Sequence, residues 1–149
     1  MRRIEDAAPV ATRLLDALDD VGFYWCPTDY VPDHEQPGGF VRYVTEVFGT
    51  FGKHVQDSFG TPALAPWLKE VLDIVFGGPD EVRQRMPLSF LITPASPLTI
   101  EHDFTQTWLE LRDYRLPVAV MPMPLQGATA PGSRLGTLLA ANCETVGTL

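Results

Sequence analysis

Leu88-Ser89-Phe90-Leu91-Ile92-Thr93 is the stretch on which the fold turns. An apolar run of this length with few polar interruptions is what a strand covered on both faces requires, as in a parallel sheet. Upstream, Leu64, Trp67, Leu68, Val71, Leu72 and Val75 recur at helical spacing after Thr61-Pro62, which suits an N-cap followed by a first-turn proline. Gly77-Gly78 ends that helix, and Pro79 to Arg85 adds one polar helical turn. Downstream, Phe104, Trp108 and Leu111 share a helical face, Pro117 stops the helix, and Val118-Ala119-Val120-Met121 opens another strand.

The same alternation extends in both directions. Ile4, Ala8, Ala11, Leu14, Leu15 and Leu18 form the apolar stripe of a first helix, and Val21-Gly22-Phe23-Tyr24-Trp25 reads as a short buried strand. A loop from Cys26 to Gly38 carries Pro27, Pro32 and Pro37. Phe40, Val44, Val47, Phe48 and Phe51 restore the helical period with Gly52 as its stop, and His54 to Phe59 supplies the next strand. The last helix carries Leu135, Leu138, Leu139 and Val146 on its expected inner side. Strand and helix in turn, about four times over, make an α/β fold of parallel βα units with an N-terminal helix, in one domain over residues 1–149. A doubly wound sheet and a TIM barrel share this pattern, so the alternation alone does not separate them.

Composition narrows the partners. A chain of 149 residues, 45% hydrophobic and 20% charged, can bury one core. The net charge of −8 disfavours nucleic acid and anionic membranes, because its 11 basic residues are outnumbered by 19 acidic ones. No apolar run approaches membrane-spanning length, and the start resembles no signal peptide. Cys26 and Cys143 are too far apart in sequence to signal a disulfide framework or zinc site, which fits the cytoplasm. No GxGxxG or GxxxxGK[ST] follows the first strand, so the usual sign of a nucleotide site is missing.

Two segments say more than the pattern: Leu91-Ile92-Thr93-Pro94-Ala95-Ser96-Pro97-Leu98-Thr99, and Pro122-Met123-Pro124-Leu125-Gln126-Gly127-Ala128-Thr129-Ala130-Pro131. They resemble the trimethylamine methyltransferase family, which shows an "SPL" after one barrel strand and a "PMP-x-x-GATAP" turn after the next. Leu135-Gly136-Thr137-Leu138 and Asn142-Cys143-Glu144 are similar to the family's "TLAG…NAE" helix, and Gly52-Lys53-His54-Val55 to its "TKH" strand start. The sequence departs at Phe51 and Gly52, where threonines are common, at Gly132-Ser133-Arg134, which replaces a "VT"-like helix start, and at Cys143, where alanine is common.

The resemblance implies a portion of a (β/α)8 barrel, expected to be interior and several times shorter than the family's proteins. It implies methyl transfer from trimethylamine or a related methylated amine to a corrinoid protein. The corrinoid belongs to that partner, so no directly bound cofactor is expected. The family's pyrrolysine has no matching position here, and catalytic residues are left unassigned. A partial barrel exposes strand edges, so an oligomer or a missing barrel half is expected. A truncated noncatalytic fragment, a split subunit and an unrelated small α/β binding protein remain the alternatives.

Barrel chemistry sits at the C-terminal ends of strands and in the loops that follow. That rule selects Trp25 and Tyr30 after the first strand, Asp57 and Ser58 in the second, Ser96 after the third, and Met123, Gln126 and Thr129 after the fourth as substrate-side candidates. Aromatic faces attract a methylated ammonium, although Trp25 and Tyr30 serve packing equally well. Gly127 and Ala128 are the cofactor-side candidates, their amides lying near a helix N-terminus; Gly127 is also what a turn with positive φ needs. His54 is expected to be a satisfied structural histidine. His34-Glu35 and His102-Asp103 lack the spacing of a zinc HExxH, so no metal is expected. Asn142 is expected to be a hydrogen-bonded packing residue, and Cys143 a buried inert thiol.

Overall fold

The computed structural model describes residues 4–25, 37–57 and 61–149, with side chains from residue 10 onward. Helix α1 (Ile4–Asp16) leads to strand β1 (Phe23–Trp25), α2 (Gly38–Thr50), β2 (His54–Asp57), α3 (Ala65–Phe76), α4 (Pro79–Arg85), β3 (Leu88–Ile92), α5 (His102–Glu110), β4 (Val118–Val120) and α6 (Arg134–Thr148). The four strands form one parallel sheet in the order β1-β2-β3-β4. A doubly wound sheet reverses its strand order at a switch point. The sequential order has no such reversal and is the order of a segment of a barrel.

Register divides the sheet into two faces. Tyr24, Val55 and Leu88 pair laterally and are all buried, as is Phe90 beside Asp57 and Val118. On the other face, Trp25 pairs with Gln56, which pairs with Ser89. The core lies between the first face and the helices: Phe40, Val44 and Val47 of α2, Leu68, Val71 and Leu72 of α3, and Val82 of α4. Phe48 and Phe76 meet edge to face at 5.2 Å, joining α2 to α3. Phe23 and Trp25 are about half exposed on the opposite face, so β1 is not the fully buried strand expected.

Several expected details are corrected. Among the described side chains of α1, Thr12 is buried and Ala11 and Leu15 are half-buried, whereas Leu14 faces out, as does Leu18 beyond the helix end. Thr12 sets that rotation by bonding its hydroxyl to that of Thr50 on α2 at 2.7 Å. Helix α2 stops at Thr50 because Phe51 turns extended (φ −126°) and buries its ring against Tyr24, so Gly52 is not the stop. Pro62 opens a short 3-10 turn ahead of α3, and Thr61 makes no side-chain cap bond. Trp67 and Val75 are substantially exposed, leaving Leu64, Leu68, Val71 and Leu72 as the buried face. Gly77 does end α3, in the left-handed conformation at φ +94° that glycine adopts without steric cost. The segment Pro79–Arg85 is a seven-residue helix whose Val82 is wholly buried.

Helix α5 ends well before Pro117, in a 3-10 turn over Arg112–Tyr114. Tyr114 anchors this approach to β4, its buried hydroxyl donating to Asp73 Oδ1 on α3 at 2.8 Å. Burial, then the bond to and charge of Asp73, then the charge of Asp113 push its ionisation well above the usual tyrosine range. The largest correction concerns α6. Leu135, Leu138, Leu139 and Val146 are 78%, 68%, 61% and 64% exposed, so the stripe expected on the inner side is uncovered.

Candidate functional site

At the C-terminal ends of β3 and β4 two loops face each other across a cleft of about 300 Å³. Thr93 to Ser96 form one wall; Met123, Leu125 and Thr129 form the other; Glu101 and Phe104 at the start of α5 complete it. That volume is at the lower end for small-molecule sites.

Each loop is closed by its own backbone. After β3, Ala95 and Thr99 exchange hydrogen bonds at 2.7 and 3.0 Å around Ser96-Pro97-Leu98, and the Ser96-Pro97 peptide is cis. Leu98 sits at φ +52°, a left-handed conformation that costs a side-chain-bearing residue about 1–2 kcal/mol and persists only where surroundings impose it. After β4, the Leu125 carbonyl accepts from the amides of Ala128, Thr129 and Ala130, each at 3.0 Å, while Gly127 N–H donates to Ala130 at 2.9 Å. Gly127 takes φ +79°, as a tight turn requires.

The sequence-derived candidates therefore separate. Ser96, Met123 and Thr129 are brought together in the cleft. Trp25 and Asp57 lie at the same end of the sheet, on β1 and β2, outside the residues that line it. Tyr30 and Ser58 fall outside the described residues, as do Cys26 and His34-Glu35. Gln126 is exposed and spends its side-chain amide on the Gly132 carbonyl at 2.7 Å. The amides of Gly127 and Ala128 are engaged within their turn, so the geometry does not offer them as an anion cradle; exposed backbone is what these residues present.

Glu101, Phe104 and Glu144 bring chemistry to the site from outside the two segments that the sequence marked. Glu101 and Phe104 give the cleft a carboxylate and a ring. Glu144 on α6 is 3% exposed and reaches back to the first loop, accepting from Ser96 Oγ at 2.9 Å and from Leu98 N–H at 3.1 Å. Asn142 and Cys143 beside it are exposed, against the expectation of packing and burial, because α6 turns only its Glu144 side inward.

The N-terminal end of the sheet holds a different arrangement. His54 pairs Nδ1 with the Met86 carbonyl at 2.7 Å and Nε2 with Ser89 Oγ at 2.8 Å. A carbonyl only accepts, so Nδ1 carries the proton, and in the neutral ring Nε2 accepts from Ser89, which in turn accepts from Gln56 Nε2 at 3.4 Å. Both ring nitrogens are thus satisfied across β2 and β3, as a structural histidine requires. His102 and Asp103 form an exposed contact of 3.1 Å. Among the described residues no group of three or more His, Cys, Asp or Glu side chains is placed to hold a metal ion.

The chain aligns over 139 residues, 93% of its length, with trimethylamine methyltransferase MttB of Desulfitobacterium hafniense at 30% identity. It is a distant relative of the trimethylamine methyltransferases. MttB of Methanosarcina barkeri (strain Fusaro) is 23% identical over 143 residues and MttB2 of Methanosarcina mazei 27% over 146, each covering 95% of this chain. The chain spans only 28–29% of the length of these trimethylamine methyltransferases. It matches no protein-family profile. The segments that carry the resemblance, Ser96-Pro97-Leu98 and Pro122 to Pro131, contain the turns that wall the cleft. No described helix is long and apolar enough to cross a membrane.

Proposed function

We propose that this chain supplies amine-side loops of a corrinoid-dependent methyltransferase, which moves a methyl group from trimethylamine or a related methylated amine to a corrinoid protein. The observation that carries this reading is the coincidence of the cleft with the two loops whose sequences resemble the trimethylamine methyltransferase family, in a chain similar to its members over most of its length. The corrinoid, held by its partner protein, would accept the methyl group. The cleft has room for a small methylated amine, and these residues would bind and orient it.

The chemistry of the walls suits such a ligand. The Phe104 ring offers a methylated ammonium a cation–π contact of about 0.5–2 kcal/mol. The Glu101 carboxylate attracts the same charge, and its exposure keeps that attraction small. Met123 and Leu125 provide apolar contact for methyl groups. Trp25, Tyr30, Asp57 and Gln126 remain proposed substrate-side residues of a more complete site, as Gly127 and Ala128 remain proposed for the side facing the corrinoid protein.

Titration with trimethylammonium, followed by NMR, tests the reading: shifts should saturate and centre on Ser96, Met123 and Thr129, with ammonium ion giving none. Shifts scattered over the surface, or the same response to ammonium, would count against it.

A second reading is favoured by the exposed Leu135, Leu138 and Leu139 of α6 and by the open edges of β1 and β4. We infer that the working unit is completed by further barrel strands, from this or another polypeptide. Alone, the chain should self-associate and bind a hydrophobic dye. A monodisperse monomer in the ultracentrifuge that binds no dye would refute this.

A further inference from the structure

We infer that Glu144 is a positioning residue whose carboxylate holds the Ser96-Pro97-Leu98 turn in place as a wall of the cleft. The functional part of this inference rests on the amine-binding reading above; the structural part does not. Glu144 is the buried residue of α6, and both of its oxygens are committed to the turn, Oε2 to the Ser96 hydroxyl and Oε1 to the Leu98 amide. Among the described residues it takes part in no ion pair. A carboxylate taken out of water without a cation is expensive, and an apolar side chain of similar volume would attach a helix at lower cost. What an apolar side chain cannot do is accept from an amide and a hydroxyl together.

The two groups it holds are those that need holding. Leu98 is a bulky residue in the left-handed region, and its amide is fixed by Glu144 while the backbone pairs of Ala95 and Thr99 close the turn around it. Ser96 lines the cleft, and the bond to Glu144 dictates where its hydroxyl proton points. Helix α6 packs extensively on no other named helix or strand, so this clamp is its principal tie to the end of the sheet. It therefore connects the loop after β3 with the helix that follows the loop after β4, coupling the two walls.

The test uses Glu144→Gln, Glu144→Ala, Ser96→Ala and the Glu144→Ala/Ser96→Ala pair, with two readouts. The first is amide hydrogen exchange at Leu98, referenced to Phe90, whose amide is bonded to the Pro117 carbonyl elsewhere in the sheet. Glu144→Ala should speed exchange at Leu98 by about tenfold or more with Phe90 unchanged. Glu144→Gln, whose amide oxygen still accepts, should stay within about threefold of the parent. The second readout is the affinity for tetramethylammonium chloride, from the shifts of Met123 and Thr129. Glu144→Ala and Ser96→Ala should each weaken it by roughly threefold to tenfold, and the double variant no further, because one acts through the other.

Unchanged exchange at Leu98 in Glu144→Ala overturns the clamp. A parallel rise at Leu98 and Phe90 overturns positioning in favour of global stability, and additive losses of affinity overturn the coupling to Ser96. If the parent chain shows no saturable tetramethylammonium shift, the amine reading fails, while exchange at Leu98 still decides the clamp.

Discussion

Replacing Tyr114 by phenylalanine keeps the buried ring and deletes only the hydroxyl that donates to Asp73 Oδ1 at 2.8 Å. A hydrogen bond to a charged group contributes about 1.5–3 kcal/mol, but Asp73 is exposed and water replaces the lost donor, so about 1–1.5 kcal/mol should be lost near pH 8. For a chain of this size that is a fall in Tm of roughly 2–5 °C. The pH dependence makes the test specific. The Tyr114 ionisation is raised in the folded state, chiefly by burial and then by Asp73. Folding therefore favours the protonated form, and the Tyr114 contribution is fully present below the unfolded tyrosine value of about 10. Above that value it falls by up to about 1.4 kcal/mol per pH unit as the unfolded chain ionises and the folded one does not. The phenylalanine variant has no such slope, so the two urea-denaturation stabilities should converge near pH ~11. A stability gap that stays constant from pH 8 to 11, or widens, would refute the reasoning.

Other perturbations report on other parts of the fold. Phe90→Ala empties a site with no solvent exposure at the middle of β3 and should cost about 3–5 kcal/mol by chemical denaturation; a loss under about 1 kcal/mol would mean the core closes around it. Long-range nitrogen NMR should find the neutral His54 ring protonated at Nδ1, since that nitrogen faces the Met86 carbonyl, and a dominant Nε2–H tautomer would contradict the hydrogen-bond chain. Gly127→Ala meets no atom within 4 Å, so its penalty should come from φ +79° alone, about 1 kcal/mol in melting experiments; a stabilised variant would show that the turn does not need that conformation.

The α/β alternation was legible because each element carries its own period: β3 is apolar but for Ser89, and Leu68, Val71 and Leu72 define the buried face of α3. Sequential strand order was not legible, since lateral register such as Gln56 with Ser89 depends on residues 33 positions apart. Local chemistry also misplaced Gly52 as a helix stop, when the packing of Phe51 against Tyr24 decides where α2 ends. The rule that barrel function gathers beyond strand ends selects Ser96, Met123 and Thr129, and these three line the cleft. It passed over Glu144, because an acid opposite the leucine stripe of a helix reads as solvated and its partners lie 46 and 48 residues away.

Helix α6 inverts the usual relation between hydropathy and burial, and the two halves of that inversion bear on each other. Its leucines, which periodicity assigns to a core, are open to water, and the one side chain it buries is a carboxylate. Periodicity reports that a face needs cover but not what supplies it, and β4 ends the sheet with an unpaired edge as well. A cover docking there would fix α6 from its apolar side while Glu144 fixes it from the polar side, so the Ser96 turn would be set by both. On the proposed reading, the geometry of the cleft is then a property of the covered assembly. Amine affinity should rise when that cover is supplied, and by more in the parent than in Glu144→Ala, where α6 no longer grips the turn.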